Sequence, residues 1–301
     1  MLHPEIAALL PAFQGKVSWS DIPLSSLRKS LLRNMAALDM TKIDLAAIEN
    51  TTVGNEGYEI PVRVYRPSLE PNLPVLVYLH GGGWVTFNVD SHDSFCRYLA
   101  VHGQCIVVAV DYRLAPEHAY PAAVDDAYSA YMALLDKGYQ AQQIVLAGDS
   151  GGCAHILNLA LRLQKKGQVL PAGLVMISPF VDLSLTMPSV KRHKRLDPMV
   201  TAHALQRGAD AYRGKIAAND QRVSPLFADL TGLPPLLIQV GEQEILLDDA
   251  LALERKAKSA GVEVSCEVYD GMWHNFQMFN EFIDKSDFAL QQIGRFVKRC
   301  A

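Results

Sequence analysis

Two glycine-rich motifs, each placed directly after a short apolar run, constrain the fold of this chain more than any other feature. The first, His-Gly-Gly-Gly-Trp at 80–84, follows the apolar run 75–79, and the second, Gly-Asp-Ser-Gly-Gly at 148–152, follows the run 143–147. A helix-forming stretch continues from the second motif. A serine flanked by glycines at a strand-to-helix turn is typical of a nucleophile elbow, in which neighbouring side chains have no room. The sequence therefore predicts that Ser150 is a nucleophile, and that the first motif can turn bare backbone N–H groups toward a developing negative charge.

The alternative for the second motif is a phosphate-binding turn at the N-terminus of a helix. The segment 148–152 lacks the Gly-Lys-Ser/Thr sequence of a P-loop. It also lacks the Gly-x-Gly-x-x-Gly sequence of a dinucleotide-binding fold. The nucleophile interpretation is therefore favoured.

Apolar runs typical of strands alternate with helical stretches through most of the chain. The strand candidates are 51–55, 58–65, 75–79, 105–110, 144–147, 174–178, 236–240 and 262–269. The helical stretches are centred on 92–102, 122–137, 153–166, 246–259 and 284–299. This alternation predicts an α/β fold with a mostly parallel eight-stranded sheet, helices on both faces and an antiparallel hairpin at one edge, turning at Glu56 and Gly57.

Two stretches do not follow this alternation. Residues 1–45 form a broken amphipathic helical pattern, and residues 184–222 contain no strand candidate and are too long for an ordinary loop. We therefore expect a catalytic core at 46–183 and 223–301, covered by a helical cap made of the other two stretches. Such a cap would lie over the carboxyl ends of the strands, where the sites of open α/β sheets are found.

A serine nucleophile needs a base to take its proton, and the base needs an orienting carboxylate. In the α/β-hydrolase fold, of which the nucleophile elbow is typical, the chain order is serine, acid, histidine. His274 is the one histidine that follows all the strand candidates, and it precedes the final helix. It is the predicted base.

The acid is expected after the strand candidate 236–240, where four carboxylates follow: Glu242, Glu244, Asp248 and Asp249. The two aspartates fall in the opening turns of the next helix, where the helix dipole favours acids for structural reasons alone. Glu242 follows Gly241 so closely that the direction of its side chain is open. Glu244, in the loop before the helix, is the first choice and Asp248 the second.

Charge and cysteine content limit the possible partners. The formal net charge is −4 with both signs spread along the chain, so nucleic acid is not an expected partner. The sequence shows no apolar run of membrane-spanning length and no signal-peptide pattern, and a cytoplasmic location is expected. The five cysteines form no Cys-x-x-Cys pair and no His-Glu-x-x-His is present, so neither a metal nor a cofactor is expected.

From about residue 50 to its end the chain resembles the hormone-sensitive-lipase-like family of α/β-hydrolase carboxylesterases. The resemblance rests on five motifs, at 80–84, at 111–118 (Asp-Tyr-Arg-Leu-Ala-Pro-Glu-His), at 148–152, at 178–183 (Ser-Pro-Phe-Val-Asp-Leu) and at 274–276 (His-Asn-Phe). Their number and their order make the match specific.

The resemblance implies Ser150 as nucleophile, His274 as base and an acid at the position of Glu244. It also implies an oxyanion hole formed by three backbone N–H groups, those of Gly82, Gly83 and Gly151. The chain departs from the family twice, with Glu-Ile-Leu at 244–246 where members usually carry Asp-Pro-Leu, and with Gly151 where they usually carry alanine. Glutamate is an accepted acid, and glycine keeps the N–H donor.

The expected function is that of a serine carboxylesterase that hydrolyses short-to-medium acyl esters through an acyl-enzyme. Its partner would be a small-molecule ester, and the family adds the possibility of a homodimer through an exposed edge strand. An amide hydrolase of the arylformamide type on the same triad is one alternative. A non-catalytic small-molecule binder on the same fold is the other.

Overall fold

Eight strands form a single sheet in the computed structural model of the protein, which describes residues 22–36, 43–54 and 58–301. The strands are β1 (Ala47–Val53), β2 (Ile60–Arg66), β3 (Val75–Leu79), β4 (Ile106–Val110), β5 (Ile144–Asp149), β6 (Gly173–Ile177), β7 (Leu236–Gly241) and β8 (Val264–Tyr269). Their order across the sheet is β1-β2-β4-β3-β5-β6-β7-β8. Strand β2 pairs antiparallel with β1 and β4, and the other pairs are parallel. The predicted α/β-hydrolase fold, with its antiparallel hairpin at one edge, is confirmed, although the predicted turn at Glu56 and Gly57 lies outside the described residues.

The helices of the described segments are α1 (Leu24–Ala36), α2 (Asp93–Gly103), α3 (Ala122–Asp136), α4 (Gly151–Lys165), α5 (Pro188–Arg192), α6 (Ala202–Arg213), α7 (Leu247–Ser259) and α8 (Asp284–Cys300). Short 3₁₀ turns lie at Ala141–Gln143, Pro225–Phe227 and Phe276–Phe279. Among the described helices, none combines the length and the apolar composition that crossing a membrane requires.

Helices cover both faces of the sheet, and alternate residues of each central strand point to opposite faces. In β3, Val75 and Val77 pack in the cluster that includes α3, α4 and α7, whereas Leu76 and Tyr78 pack in the cluster that includes α2 and α8. Every residue of β3 to β7 is buried. This explains why these strands are continuous apolar runs in the sequence rather than alternating ones.

The parallel strands bring three predicted site residues to one edge of the sheet. Ser150 directly follows β5, Glu244 follows β7, and His274 follows β8, in each case at the carboxyl end of the strand. The fully described segment 184–222 contains α5 and α6 and no strand. Of the predicted cap segment 1–45, residues 1–21 and 37–42 lie outside the described residues.

Candidate active site

Ser150 occupies a strained turn between β5 and α4. Its backbone has φ +49° and ψ −120°, a conformation that residues other than glycine rarely adopt. A Cβ on Gly148 would lie 2.8 Å from the backbone of Gly152, and a Cβ on Gly152 would collide with the carbonyl oxygen of Leu79. The N–H of Ser150 donates to the carbonyl oxygen of Ile177 at 2.8 Å, which fixes the turn against β6. The glycines of the motif are therefore steric requirements of the turn that presents the serine.

The glycine loop at 80–84 packs against this turn. Gly82 and Gly83 have φ values of +107° and +57°, in the region that favours glycine. Within the described residues, the N–H groups of these two glycines and of Gly151 donate to no protein acceptor. Gly151 is also the first residue of α4, where the helix dipole favours a negative charge. Among the residues that the structure describes, the glycine loop and the first residue of α4 thus offer three backbone N–H groups without a protein acceptor.

The Trp84 indole packs closely on Gly151, the position where the family usually has alanine. Its Nε1 donates to the carbonyl oxygen of Gly151 at 2.9 Å, which joins the glycine loop to the elbow. A Cβ on Gly151 would lie 3.0 Å from Cε2 of the indole, a contact that would force the ring to move by a few tenths of an ångström. The glycine lets the tryptophan pack this closely.

The motif at 111–118 supports the glycine loop through hydrogen bonds to its backbone. The hydroxyl of Tyr112 donates to the carbonyl oxygen of His80 at 2.6 Å, and the two rings stack with centroids 4.3 Å apart. The N–H of Ala115 donates to the carbonyl oxygen of Trp84 at 2.9 Å. Burial lowers the pKa of His80 to about 3, so its ring packs against Tyr112 in the neutral form.

Glu244 and His274 form a buried pair. Nδ1 of His274 lies 3.1 Å from Oε2 of Glu244, and both side chains are excluded from solvent. The other carboxylate oxygen, Oε1, accepts from the hydroxyl of Ser178 and from the N–H of Gly241, each at 2.6 Å. The carboxylate is thus fixed from three sides, and the imidazole is oriented by it.

The other three acid candidates are engaged elsewhere. Oδ2 of Asp248 accepts from the N–H of Ser189 at 2.8 Å, which ties α7 to α5. Asp249 accepts from the backbone of 181–182, and Glu242 accepts from the N–H at residue 271. Within the described part of the chain, Glu244 is the one candidate of the four that forms a hydrogen bond with His274.

The pKa of His274 is raised above its ordinary value of 6.5. Burial alone would lower this pKa, because it penalises the charged imidazolium. The hydrogen bond and the charge of Glu244, together with the charges of Asp197 and Asp149, outweigh burial. The site therefore stabilises the protonated histidine, which is what a general base needs once it has accepted a proton.

Asp149, which precedes the serine, links the elbow to the histidine loop, a role that the sequence pattern does not indicate. Its Oδ1 accepts from the hydroxyl of Tyr78 at 2.6 Å and from the N–H of Gly81 at 2.7 Å. Its Oδ2 accepts from Nδ2 of Asn275, the neighbour of the base candidate, at 2.6 Å. Burial would raise the pKa of Asp149, but the nearby His92 and the hydrogen bond from Tyr78 hold it at about 2. One buried carboxylate thus connects three of the five sequence motifs.

The Ser178 hydroxyl provides a second connection that was not anticipated. It donates to Glu244 and accepts from the N–H of Asn275 at 3.1 Å. Between the Ser150 hydroxyl and the His274 imidazole, in contrast, no hydrogen bond is present in the described segments. In many enzymes this bond shortens only when substrate binds.

Comparison with known proteins agrees with this architecture. The sequence pattern of the alpha/beta hydrolase fold family matches residues 76–278. An esterase of Acinetobacter venetianus is 42% identical over 223 residues, which are 74% of each chain. An ethyl acetate hydrolase of Pseudomonas putida is 33% identical over 312 residues, or 97% of each chain. The crystal structure of an esterase from the bacterial hormone-sensitive lipase family superposes with a TM-score of 0.90 at 33% identity, covering 100% of this chain and 99% of that one. The chain therefore belongs to the hormone-sensitive-lipase-like family of α/β-hydrolase carboxylesterases.

Proposed function

We propose that the protein hydrolyses short-to-medium acyl esters with a triad of Ser150, His274 and Glu244. The chain is a carboxylic ester hydrolase, as its relatives are. The observation that carries the triad assignment is the buried 3.1 Å hydrogen bond between His274 and Glu244, at the sheet edge where the elbow presents Ser150. Base, orienting acid and nucleophile are the three groups that serine hydrolysis requires.

In the acylation half of this reaction, Oγ of Ser150 attacks the ester carbonyl carbon while Nε2 of His274 takes the hydroxyl proton. The carbonyl oxygen becomes an oxyanion, which the N–H groups of Gly82, Gly83 and Gly151 stabilise. The intermediate then expels the alcohol, which receives the proton from His274. An acyl ester of Ser150 remains.

In the deacylation half, His274 takes a proton from water as the water attacks the acyl carbonyl carbon. The same three N–H groups donate hydrogen bonds to the second oxyanion. Its collapse releases the carboxylic acid and returns the proton to Oγ of Ser150. Glu244 accepts from Nδ1 throughout, which leaves Nε2 free to exchange protons with serine and water.

The pH dependence follows from the state of His274. Only the neutral imidazole can accept the serine proton, and the pKa of His274 is raised above 6.5. We therefore expect kcat/KM to fall as the pH is lowered, with its half-maximal value above pH 6.5. Profiles for two esters with different leaving groups should show the same acid limb. A profile that stays flat down to the pH at which the protein unfolds would argue against a histidine base.

We propose that α1 and residues 184–222 form a cap over the site. Nε of Arg28, on α1, donates to the carbonyl oxygen of Val85 at 2.7 Å, just beyond the glycine loop. Helix α6 approaches the glycine loop so closely at Gly208 that a side chain there would not fit, because its Cβ would lie 2.5 Å from the carbonyl oxygen of Gly83. Tyr212 of the same helix stacks on the Trp84 indole, with centroids 4.7 Å apart. Helix α6 thus rests on the loop that supplies two of the proposed oxyanion donors, and α1 is held at the residue that follows this loop.

A cap in this position limits the depth of the acyl pocket. Each methylene that fits should gain about 0.8 kcal/mol of transition-state binding, and the gain should reverse at the pocket floor. We expect kcat/KM for p-nitrophenyl esters to peak at short or medium acyl chains and to fall sharply for long ones. One relative is named an ethyl acetate hydrolase, which supports a preference for short acyl chains.

The same assay distinguishes the alternatives. Matched anilides, run beside the esters, report on the amide hydrolase, and the absence of any turnover would favour a non-catalytic binder. A kcat/KM that continues to rise to long acyl chains would contradict a closed pocket.

The homodimer and the cytoplasmic location stay predictions. Strand β8 is an edge strand of the sheet that the described residues form, and its Val268 is exposed, which supports a homodimer through this edge. The cytoplasmic location rests on the sequence pattern alone.

A further inference from the structure

A second buried carboxylate, that of Asp197, lies against the loop that carries Glu244. Asp197 belongs to the cap segment between α5 and α6, and it is 7% exposed. Its Oδ2 accepts from the N–H of Ile245, the residue that follows Glu244, at 3.1 Å. Its Oδ1 accepts from the N–H of Met199 at 2.9 Å, which fixes the carboxylate within its own turn. The side chain thus joins the cap to the backbone of the acid loop.

Two other cap side chains hold the neighbouring carbonyl groups of the same loop. Nδ1 of His193 lies 2.9 Å from the carbonyl oxygen of Glu244, and the hydroxyl of Ser189 donates to that of Ile245 at 2.8 Å. Three consecutive polar groups of the acid loop are therefore held by cap side chains. The position of the Glu244 backbone depends on the cap as well as on β7.

The charge of Asp197 also acts on the pair of His274 and Glu244. Carboxylates from three elements raise the pKa of His274: Glu244 from the loop after β7, Asp197 from the cap, and Asp149 from the elbow. Burial raises the pKa of Asp197 to about 6, so this carboxylate is ionised at pH 7. Two basic groups at the C-terminal end of α5, Arg192 and His193, bond to each other, and the guanidinium also pairs with Asp248.

We propose that Asp197 is a positioning residue of the hydrolytic reaction, which holds the backbone beside Glu244 in place and adds a second negative charge that stabilises the imidazolium of His274. The inference rests on the proposed triad. The imidazolium forms once in acylation and once in deacylation, so a negative charge that attracts it lowers the barrier of both steps. Asp197 acts through Glu244 and His274.

The test compares Asp197→Asn with Asp248→Asn in the full chain, by the pH profile of kcat/KM and by kcat and KM at the plateau. Asparagine keeps an oxygen that can accept from Ile245 but removes the charge. We expect Asp197→Asn to move the acid limb to lower pH by about 0.5 unit and to lower kcat about threefold or more, with KM little changed. Asp248→Asn removes a carboxylate from the same junction of cap and loop, but one whose contacts are with Ser189 and Arg192 of the cap. Its acid limb should coincide with that of the wild type.

The outcomes separate the two proposals. A wild-type profile without an acid limb would overturn the proposed triad, whereas a wild-type limb that Asp197→Asn leaves unmoved would overturn the role of Asp197 alone. Equal shifts in both aspartate variants would also overturn it, because they would report a general loosening of the cap. Asp197→Ser, which is smaller and also neutral, should reproduce the shift if the asparagine variant folds poorly. Asp197→Glu, which keeps the charge, should keep the limb at the wild-type pH.

Discussion

Replacing Ser150 with alanine should lower kcat for p-nitrophenyl esters by a factor on the order of 10⁴ to 10⁶, while the protein stays folded. The variant loses the atom that forms the acyl bond, and water must then attack the ester directly. The backbone turn is set by Gly148 and Gly152, whose steric requirements the substitution does not touch. The thermal midpoint should therefore stay close to that of the wild type. Steady-state rates and a thermal melt on the same preparation provide the measurement.

A matched control is Ser259→Ala, in which an exposed serine at the end of α7 is truncated in the same way. This variant should keep wild-type kcat and KM. A Ser150→Ala protein that is folded and retains more than about one hundredth of the wild-type rate would require another nucleophile.

Replacing Glu244 with glutamine should lower kcat by a factor on the order of 10⁴, whereas Asp248→Asn should cost far less. Glutamine has nearly the same shape, but it removes the charge that stabilises the imidazolium of His274. Its amide can also present an N–H to Nδ1, which favours the wrong tautomer. Asp248 contacts Ser189 and Arg192 of the cap, so its loss should act on the cap rather than on the histidine. Rates for both variants, with circular dichroism to verify folding, give the comparison.

The two variants are close in sequence and differ in what they contact. If Asp248→Asn shows the larger loss of kcat with both proteins folded, Glu244 is not the acid. The pH profile gives a second readout, because Glu244→Gln removes the largest source of the raised pKa of His274. The acid limb of any residual activity should then move to lower pH.

Much of the fold could be predicted because each central strand is buried on both faces. Runs such as 75–79 and 236–240 are continuous and apolar for this reason, and the helices between them follow as crossover connections. The nucleophile turn could also be predicted, since Gly148 and Gly152 are present for steric reasons that leave a visible pattern. His274 could be chosen because chain order is fixed by the order of strands in the fold.

The choice among the four acids could not be completed from sequence. All four follow β7 within a few residues, and only the folded position of the loop that carries His274 determines which carboxylate meets the histidine. The same holds for Ser178 and Asp197, which act on the acid loop from 66 and 48 residues away. Contacts between residues so far apart in the chain leave no hydrophobic periodicity and no local composition from which they could be predicted.

The role of the 111–118 motif could not be predicted from the sequence for a related reason. Its Tyr112 and Ala115 hold the glycine loop through backbone carbonyl groups, and a carbonyl acceptor carries no side-chain signature. Asp149 stands inside the nucleophile motif, so nothing in the sequence distinguishes its role from that of the turn. Its bonds to Gly81 and Asn275 show that it also sets the distance between the loops on either side of the serine.

The most direct test of the proposed chemistry is covalent labelling with a serine-directed organophosphonate bearing a p-nitrophenyl leaving group. Attack by the activated hydroxyl releases p-nitrophenol and leaves a stable phosphonate ester at the site of the acyl-enzyme. We expect one equivalent of p-nitrophenol, complete loss of esterase activity, and a mass increase that peptide mapping assigns to Ser150, with no labelling of Ser150→Ala. Stoichiometric labelling of a different residue, with activity lost in parallel, would contradict the account.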